Sequence, residues 1–225
     1  MFKNEKPFEI IMFGPPASGK GTQAKLLSET FKIPHISTGD LLRAIKLDKS
    51  NPLSQELSDL MDNGKLVSDE LITKMVDGRI KEEDCKSGYI LDGFPRTQDQ
   101  VRALEQMSDI DYVFLVDVSD EAVIERIAGR RICKNAHTWH VKYNPTATEG
   151  ICDTCGEALF IRDDDNEEKI KARLKVYHDN TDPIVELYES QGKLIQVNGE
   201  QHIEGVFQQI VQKMVDDLRK QIEVK

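Results

Sequence analysis

Gly14, Gly19 and Lys20 stand in the order Gly-x4-Gly-Lys, directly after the apolar run Phe8-Glu9-Ile10-Ile11-Met12-Phe13. That spacing suits the holding of phosphate groups. Glycines let backbone N–H groups converge on phosphate oxygens, a helix opening behind them adds a favourable dipole, and the lysine reaches the terminal phosphates as a point charge. The hydroxyl that usually follows such a lysine is replaced here by Gly21, with Thr22 one residue later.

Two other groups of residues could do chemistry. Leu91-Asp92-Gly93-Phe94-Pro95-Arg96-Thr97 sets a carboxylate and an arginine around a tight turn after an apolar run. Cys133, Cys152 and Cys155, the last two in Cys-x2-Cys-Gly, supply three thiolates with metal-site spacing; either His137 or His140 would be the fourth ligand. Zinc suits that donor set, and a filled shell of four ligands is structural because it leaves no position for a reacting water. Cys85 lies too far away in sequence to join them and reads as a core thiol.

The elements that must position these residues can be read from periodicity. Tyr89-Ile90-Leu91-Asp92, Tyr112-Val113-Phe114-Leu115-Val116 and Leu194-Ile195-Gln196-Val197 are apolar runs expected of strands. Helices are expected over Glu70 to Lys81, Gln98 to Gln106, and Glu121 to Ile127 behind a Ser119 cap. Ala24, Leu27 and Phe31 give the helix after the loop a core face. A last helix carries Ile203, Val206, Phe207, Ile210, Val211, Met214 and Leu218 on one stripe. Alternating strands and helices predict an α/β fold with a parallel sheet. Residues 37–67, expected to be helical and without a strand, and 129–165, rich in polar and turn-forming residues, interrupt the rhythm and read as functional insertions.

The 225 residues, 39 % hydrophobic and 31 % charged, describe a globular chain. The net charge of −10 argues against a nucleic-acid binder, while a local basic pocket for a small anion stays compatible with it. The short polar start, the scattered cysteines and the lack of a long apolar run lead to the expectation of a cytoplasmic location without a membrane partner.

The Gly-Lys-Gly-Thr ending of the loop resembles the adenylate kinase family, and further matches follow from residue 8 to 218. They are Ser37-Thr38-Gly39-Asp40-Leu41-Leu42-Arg43, Gly64-Lys65-Leu66-Val67, the Asp92 to Thr97 string with Gln100, Gly129-Arg130-Arg131, Arg162-Asp163-Asp164-Asp165 and Arg173. The resemblance implies a three-layer P-loop fold around a five-stranded parallel sheet. Residues 1–36, 68–128 and 166–225 would form the core, 37–67 an AMP-binding insertion and 129–165 a lid.

Ala17, Ser18, Gly19, Lys20, Gly21 and Thr22 would bind the phosphates of ATP, with Arg130, Thr138, Trp139, Gly199 and Gln201 also on the ATP side. Thr38, Arg43, Lys65, Leu66, Val67, Gly93, Phe94, Pro95, Arg96, Gln100, Arg162 and Arg173 would bind AMP, with Thr38 and Gln100 near its adenine. Lys20, Arg96, Arg130, Arg162 and Arg173 would be catalytic, and Asp92 would hold waters around Mg²⁺. Arg126 and Arg131 are read as structural. In the lid many bacterial members of the family have a four-cysteine knuckle, or one with a histidine in the second position, and that second position falls on Ala136 here. His140 resembles the lid's aromatic-His pair, which leaves His137 with Cys133, Cys152 and Cys155 around a structural Zn²⁺.

The chemistry agrees with this reading. Transfer to a phosphate acceptor needs no general base, because the attacking oxygen is already ionised near neutral pH; it needs positioning and positive charge around the moving phosphoryl group. The expected reaction is MgATP plus AMP giving two ADP, by a monomer whose partners are these nucleotides. The alternatives are a GTP-dependent AMP kinase, which shares the long lid, and a non-enzymatic nucleotide switch or zinc-bearing binding module. A UMP/CMP kinase fits less well, since such enzymes have short lids.

Overall fold

The computed structural model describes residues 8–62, 67–162 and 165–223. Strand β1 (Phe8–Phe13) has its last four residues buried and lies at the centre of a sheet with β2 (His35–Ser37), β3 (Gly88–Asp92), β4 (Tyr112–Asp117) and β7 (Leu194–Asn198). The order is β2-β3-β1-β4-β7, and every pairing is parallel. The sheet of five parallel strands agrees with expectation. One strand of this sheet has no counterpart in the apolar runs: β2 is three residues long, too short for a period to register, and takes in Ser37, the first residue of a stretch expected to lack a strand.

Side chains alternate across a strand, so the sheet separates two cores. Ile11, Phe13, Leu91, Val113 and Leu115 face α4 (Asp69–Ile80), α5 (Gln98–Met107) and α8 (Asp182–Ser190) through Val76, Leu104 and Ile184. Ile10, Met12, Ile90, Phe114 and Val116 face α1 (Lys20–Phe31) and α9 (Ile203–Glu223) through Ala24, Leu27, Val206 and Ile210. A third cluster joins α6 (Asp120–Gly129) to α7 (Glu167–Asn180) through Val123, Ile127, Ile170 and Leu174.

Between β2 and α4, α2 (Thr38–Leu47) and α3 (Ser54–Asp62) pack Leu42 and Leu57 against the first core. Between α6 and α7, β5 (Arg130–Ile132) and β6 (Thr138–His140) form a separate antiparallel hairpin.

Parallel strands bring all their C-terminal ends to one edge, where ligands of such sheets bind. Five helices that enter near that edge are capped by side chains. Ser37, Ser68, Thr97, Ser119 and Asn166 accept from the backbone N–H of Asp40, Leu71, Gln100, Ala122 and Lys169. Each such cap contributes about 1 kcal/mol. The expected cap at Ser119 is among them. Helix α1 differs, since its N-cap is the left-handed Gly19, which has no side chain to cap with; Lys20 N donates instead to Ser18 Oγ in the preceding loop at 3.4 Å.

Ile10 has no exposed surface in the central strand. Ile10→Ala should lower the unfolding free energy by about 2–5 kcal/mol, read as a lower urea midpoint at unchanged slope. A loss below about 1 kcal/mol would contradict close packing of the second core.

Candidate active site

The loop after β1 is shaped by what it cannot accommodate. Gly14 has φ +148°, and a Cβ there would meet Ser18 Oγ at 2.5 Å and the Val116 carbonyl at 2.6 Å. Ala17 (φ 55°) and Gly19 (φ 97°) are also left-handed, so the chain folds back tightly before α1. Lys20 Nζ donates to the Pro15 carbonyl at 3.0 Å, across the mouth of the loop. Burial of its ammonium, with further lowering from Arg96, Arg173 and Arg130 against the attraction of Asp92, brings its pKa down to about 8. The residue as a whole is half-buried; its charged end is the part withdrawn from water.

Asp92 ends β3 beside Lys20. Burial disfavours its charged form, but a hydrogen bond from His35 Nε2 at 3.2 Å and the charges of Lys20 and Arg96 outweigh burial and hold its carboxyl below the usual range. The glycine at 21 fits this carboxylate: a Cβ at that position would lie 3.2 Å from Asp92 Oδ2. The space next to the ionised oxygen therefore stays open. An anionic oxygen ligand bounded by a cationic loop is what a hydrated magnesium ion at bound phosphates requires.

The turn after Asp92 is equally tight. Gly93 (φ +82°) leaves room for Arg96 Nη2 and Thr38 Oγ1, which a Cβ would meet at 2.6 and 2.7 Å. Arg96 Nε donates to the Gly93 carbonyl at 2.7 Å, and Thr38 Oγ1 donates to the same carbonyl at 2.9 Å. Arg96 N donates to Gln100 Oε1 at 2.7 Å. Phe94 is buried behind a cis Phe94–Pro95 peptide. Arg43 pairs with Asp40 on α2, and Val67 is buried. Lys65 and Leu66 lie outside the described residues.

One cleft is lined by Gly14, Lys20, Thr38, Arg43, Val67, Gly93, Pro95, Arg96 and Gln100, with Arg173 from α7. Arg130, at the start of β5, makes a two-pronged pair with Asp165, whose side chain has no exposed surface; Arg173 Nη1 stands 3.8 Å from the same carboxylate. Arg162 sits three residues before Asp165, and its carbonyl accepts from Asp165 N at 3.0 Å.

Gly199, after β7, accepts no Cβ, which would meet Val118 and Val116 at 2.6 and 2.7 Å. Gln201 is exposed and donates to the Asn198 carbonyl. Thr138 and Trp139 lie on β6, away from the cleft lining.

Arg126 has a larger part than its place on a helix suggested. Its guanidinium donates to the Ser18 carbonyl at 2.9 Å and to the Gly199 carbonyl at 2.7 Å, tying the loop to the turn after β7. Nothing local distinguishes it in sequence from a solvated helix arginine. Arg131 donates to the carbonyls of Ala128 and Arg130, a local role as expected. Cys85 is buried, and desolvation pushes its thiol up to about 11.

The expected lid cluster assembles around His137. Its Nδ1 lies 3.4, 3.4 and 3.3 Å from the sulfurs of Cys133, Cys152 and Cys155, and Cys133 and Cys155 are 3.7 Å apart. Zn–S bonds of about 2.3 Å and Zn–N of about 2.0 Å in a tetrahedron put ligand atoms about 3.5–3.8 Å from one another, so the four atoms fit zinc. Ala136 (φ 60°) closes the turn that makes Cys-x3-His work, with its N–H donating to the Cys133 carbonyl. Gly156 (φ 73°) does the same for the second knuckle, donating to the Cys152 carbonyl. Trp139 Nε1 donates to Cys152 Sγ at 3.2 Å. His140 is elsewhere: its Nδ1 accepts from Lys142 N and Tyr143 N, and its ring covers Gly129.

Comparison with known proteins agrees with this geometry. Residues 12–193 match the family model described as adenylate kinase. The chain is 47 % identical to an adenylate kinase of Lachnospira eligens over 209 residues, covering 90 % of this chain and 98 % of the relative. It is 43 % identical to one of Clostridium perfringens over 217 residues, covering 94 % and 99 %, and 47 % identical to one of Clostridium acetobutylicum over 208 residues, covering 90 % and 96 %.

The ammonium of Lys20 should titrate near pH 8 in nucleotide-free protein, as one lysine resonance in an NMR titration that disappears in Lys20→Met. A bound polyanion favours the charged form and should move this midpoint up. Titration of every lysine above about pH 10 would contradict the desolvated site.

Proposed function

From the premise that this chain belongs to the adenylate kinase family, and so is a phosphotransferase acting on nucleoside monophosphates, we propose how its residues divide the transfer from MgATP to AMP. The observation that carries the assignment is the convergence of Lys20, Arg96 and Arg173 on one cleft, with the N-terminus of α1 behind Gly19 at its edge.

In this reading the N–H groups from Ala17 to Thr22 and the Lys20 ammonium hold the donor phosphates. Gly199 and Gln201 lie against the donor base, with Thr138 and Trp139 closing over it. Thr38, Arg43, Lys65, Leu66, Val67, Gly93 to Arg96 and Gln100 hold AMP. Arg130, Arg162 and Arg173 surround the moving group.

An oxygen of the AMP phosphate attacks the γ-phosphorus, the bond from that phosphorus to the β,γ-bridging oxygen breaks, and ADP leaves from each site. No proton need be abstracted, so the residues act by position and charge. The arginines and Lys20 stabilise the equatorial oxygens of a loose transition state. Asp92 would hold the water shell of Mg²⁺, whose charge offsets that of the β- and γ-phosphates when bound.

Residues 37–67 and 129–165 act as two covers over the core formed by 1–36, 68–128 and 166–225, excluding water that would otherwise hydrolyse ATP. Among the described residues no helix is long and apolar enough to cross a membrane. A cytoplasmic monomer whose donor is ATP and not GTP is the simplest form of the proposal; the match over nearly the whole of relatives named adenylate kinase supports the activity.

Lys20→Ala and Arg96→Ala should each stay folded and lose at least about 10²-fold in kcat/KM, in a coupled assay of ADP formation from ATP and AMP. Wild-type activity in both folded variants would overturn the assignment. GTP serving as well as ATP would favour the alternative donor.

Cys133, His137, Cys152 and Cys155 would hold a structural Zn²⁺, which contributes cohesion to the hairpin and takes no part in the transfer. About one zinc per chain is expected by elemental analysis of protein purified without added metal. His137→Ala should lose the metal and lower the melting temperature while keeping much of the activity when cool; His140→Ala should keep the metal. The reverse pair of outcomes would show that the knuckle is aligned differently.

A further inference from the structure

Gln100 is 2 % exposed and lines the cleft, yet both ends of its side-chain amide already have partners. Its Oε1 accepts from Arg96 N at 2.7 Å, and its Nε2 donates to Asp69 Oδ1 at 2.7 Å. The other Asp69 oxygen accepts from Thr97 Oγ1 at 2.7 Å, and Thr97 Oγ1 in turn accepts from Gln100 N as the cap of α5. Asp69 is held by the first turn of α4, 31 residues away in sequence.

These partners decide which way the amide points. A carboxylate only accepts, so the atom facing Asp69 is the amide nitrogen; a backbone N–H only donates, so the atom facing Arg96 is the amide oxygen. Turning the amide over would set oxygen against carboxylate and N–H against N–H, losing two hydrogen bonds and creating two repulsions in a buried place. One amide hydrogen and one lone pair of Oε1 are left after these bonds. They form a donor–acceptor pair of fixed order.

We infer that Asp69 is a specificity-determining residue: by fixing the Gln100 amide it sets the cleft to accept a base with an amino group beside a ring nitrogen acceptor, and to refuse one with a carbonyl beside a ring N–H. Adenine has the first pattern; hypoxanthine and guanine have the second. The inference rests on the proposed reading that Gln100 faces the acceptor base, and adds to it the residue that gives this contact its sense. Asp69 touches no substrate and acts through Gln100.

The test compares AMP with IMP as acceptors, using the full-length enzyme. Asp69→Ala should raise KM for AMP by about tenfold or more, leave kcat within about threefold, leave KM for MgATP unchanged, and lower the AMP-to-IMP ratio of kcat/KM by at least about tenfold, since a site built to hydrogen-bond a group loses discrimination when that pairing is freed. A purely structural role would lower both acceptors together and keep the ratio, which would overturn the inference.

Gln100→Ala separates the two levels. An unchanged KM for AMP in that variant removes Gln100 from the base and overturns the underlying reading with the inference. A raised KM there, with an unchanged ratio in Asp69→Ala, overturns the inference alone. The wild-type enzyme supplies a readout independent of the variants' folding: without nucleotide, one Gln100 side-chain amide proton should be protected from hydrogen exchange. Free exchange of both amide protons would overturn the lock.

Discussion

Like charges gathered in a closed space repel one another, and this site cannot exist unless that repulsion is contained. Lys20, Arg96 and Arg173 line one cleft at the end of the sheet, and Arg130 is near enough for its charge to act on Lys20. At an effective dielectric constant near 20, two unit charges 4 Å apart interact by about 4 kcal/mol. Two carboxylates offset the strain. Asp92 is shared between His35 and the field of Lys20, and Asp165, with no exposed side-chain surface, is held by Arg130 and approached by Arg173. Lys20 still feels the excess, since its pKa falls to about 8. Placing such cations at the C-terminal edge of a sheet, on turns rigid enough to resist their repulsion, is the constraint that the glycines at 14 and 93 satisfy.

What could be read from the sequence follows from how local each determinant is. Gly14, Gly19 and Lys20 lie within seven residues, so their spacing shows the loop directly. The helix caps at Ser119 and the stripe from Ile203 to Met214 are equally local, and they appear where expected. Strand β2 is another matter: three residues carry no period, and its place at the sheet edge is set by pairing with β3.

Arg126 and Asp69 could not be found by any local pattern, because their partners are 73 to 108 and 28 to 31 residues distant. The fourth member of the cysteine cluster falls between these cases. Spacing left two histidines, and only the turn at Ala136 shows why His137 turns inward while His140 packs on Gly129.

The hairpin of β5 and β6 depends on different forces from the rest of the chain. The sheet has a core on each face, whereas Val141, Tyr143, Ile151, Phe160 and Ile161 are exposed around the hairpin. So small a unit buries too little apolar surface to offset the entropy of ordering it. Four ligand atoms that converge within 4.8 Å would, with a metal bound, supply by coordination what hydrophobic packing does not. None of the four ligand residues belongs to either core of the sheet.

The double hydrogen bond of Arg126 has a mechanical meaning. With one guanidinium fastened to both the Ser18 and Gly199 carbonyls, the last turn of α6 is riveted to the core at two points. Three residues later comes Gly129, overlain by the imidazole of His140, and then Arg130, where the hairpin begins. The place where the hairpin departs is thereby set by the core, since Arg126, which the two carbonyls hold, lies just ahead of the end of α6 and the start of β5.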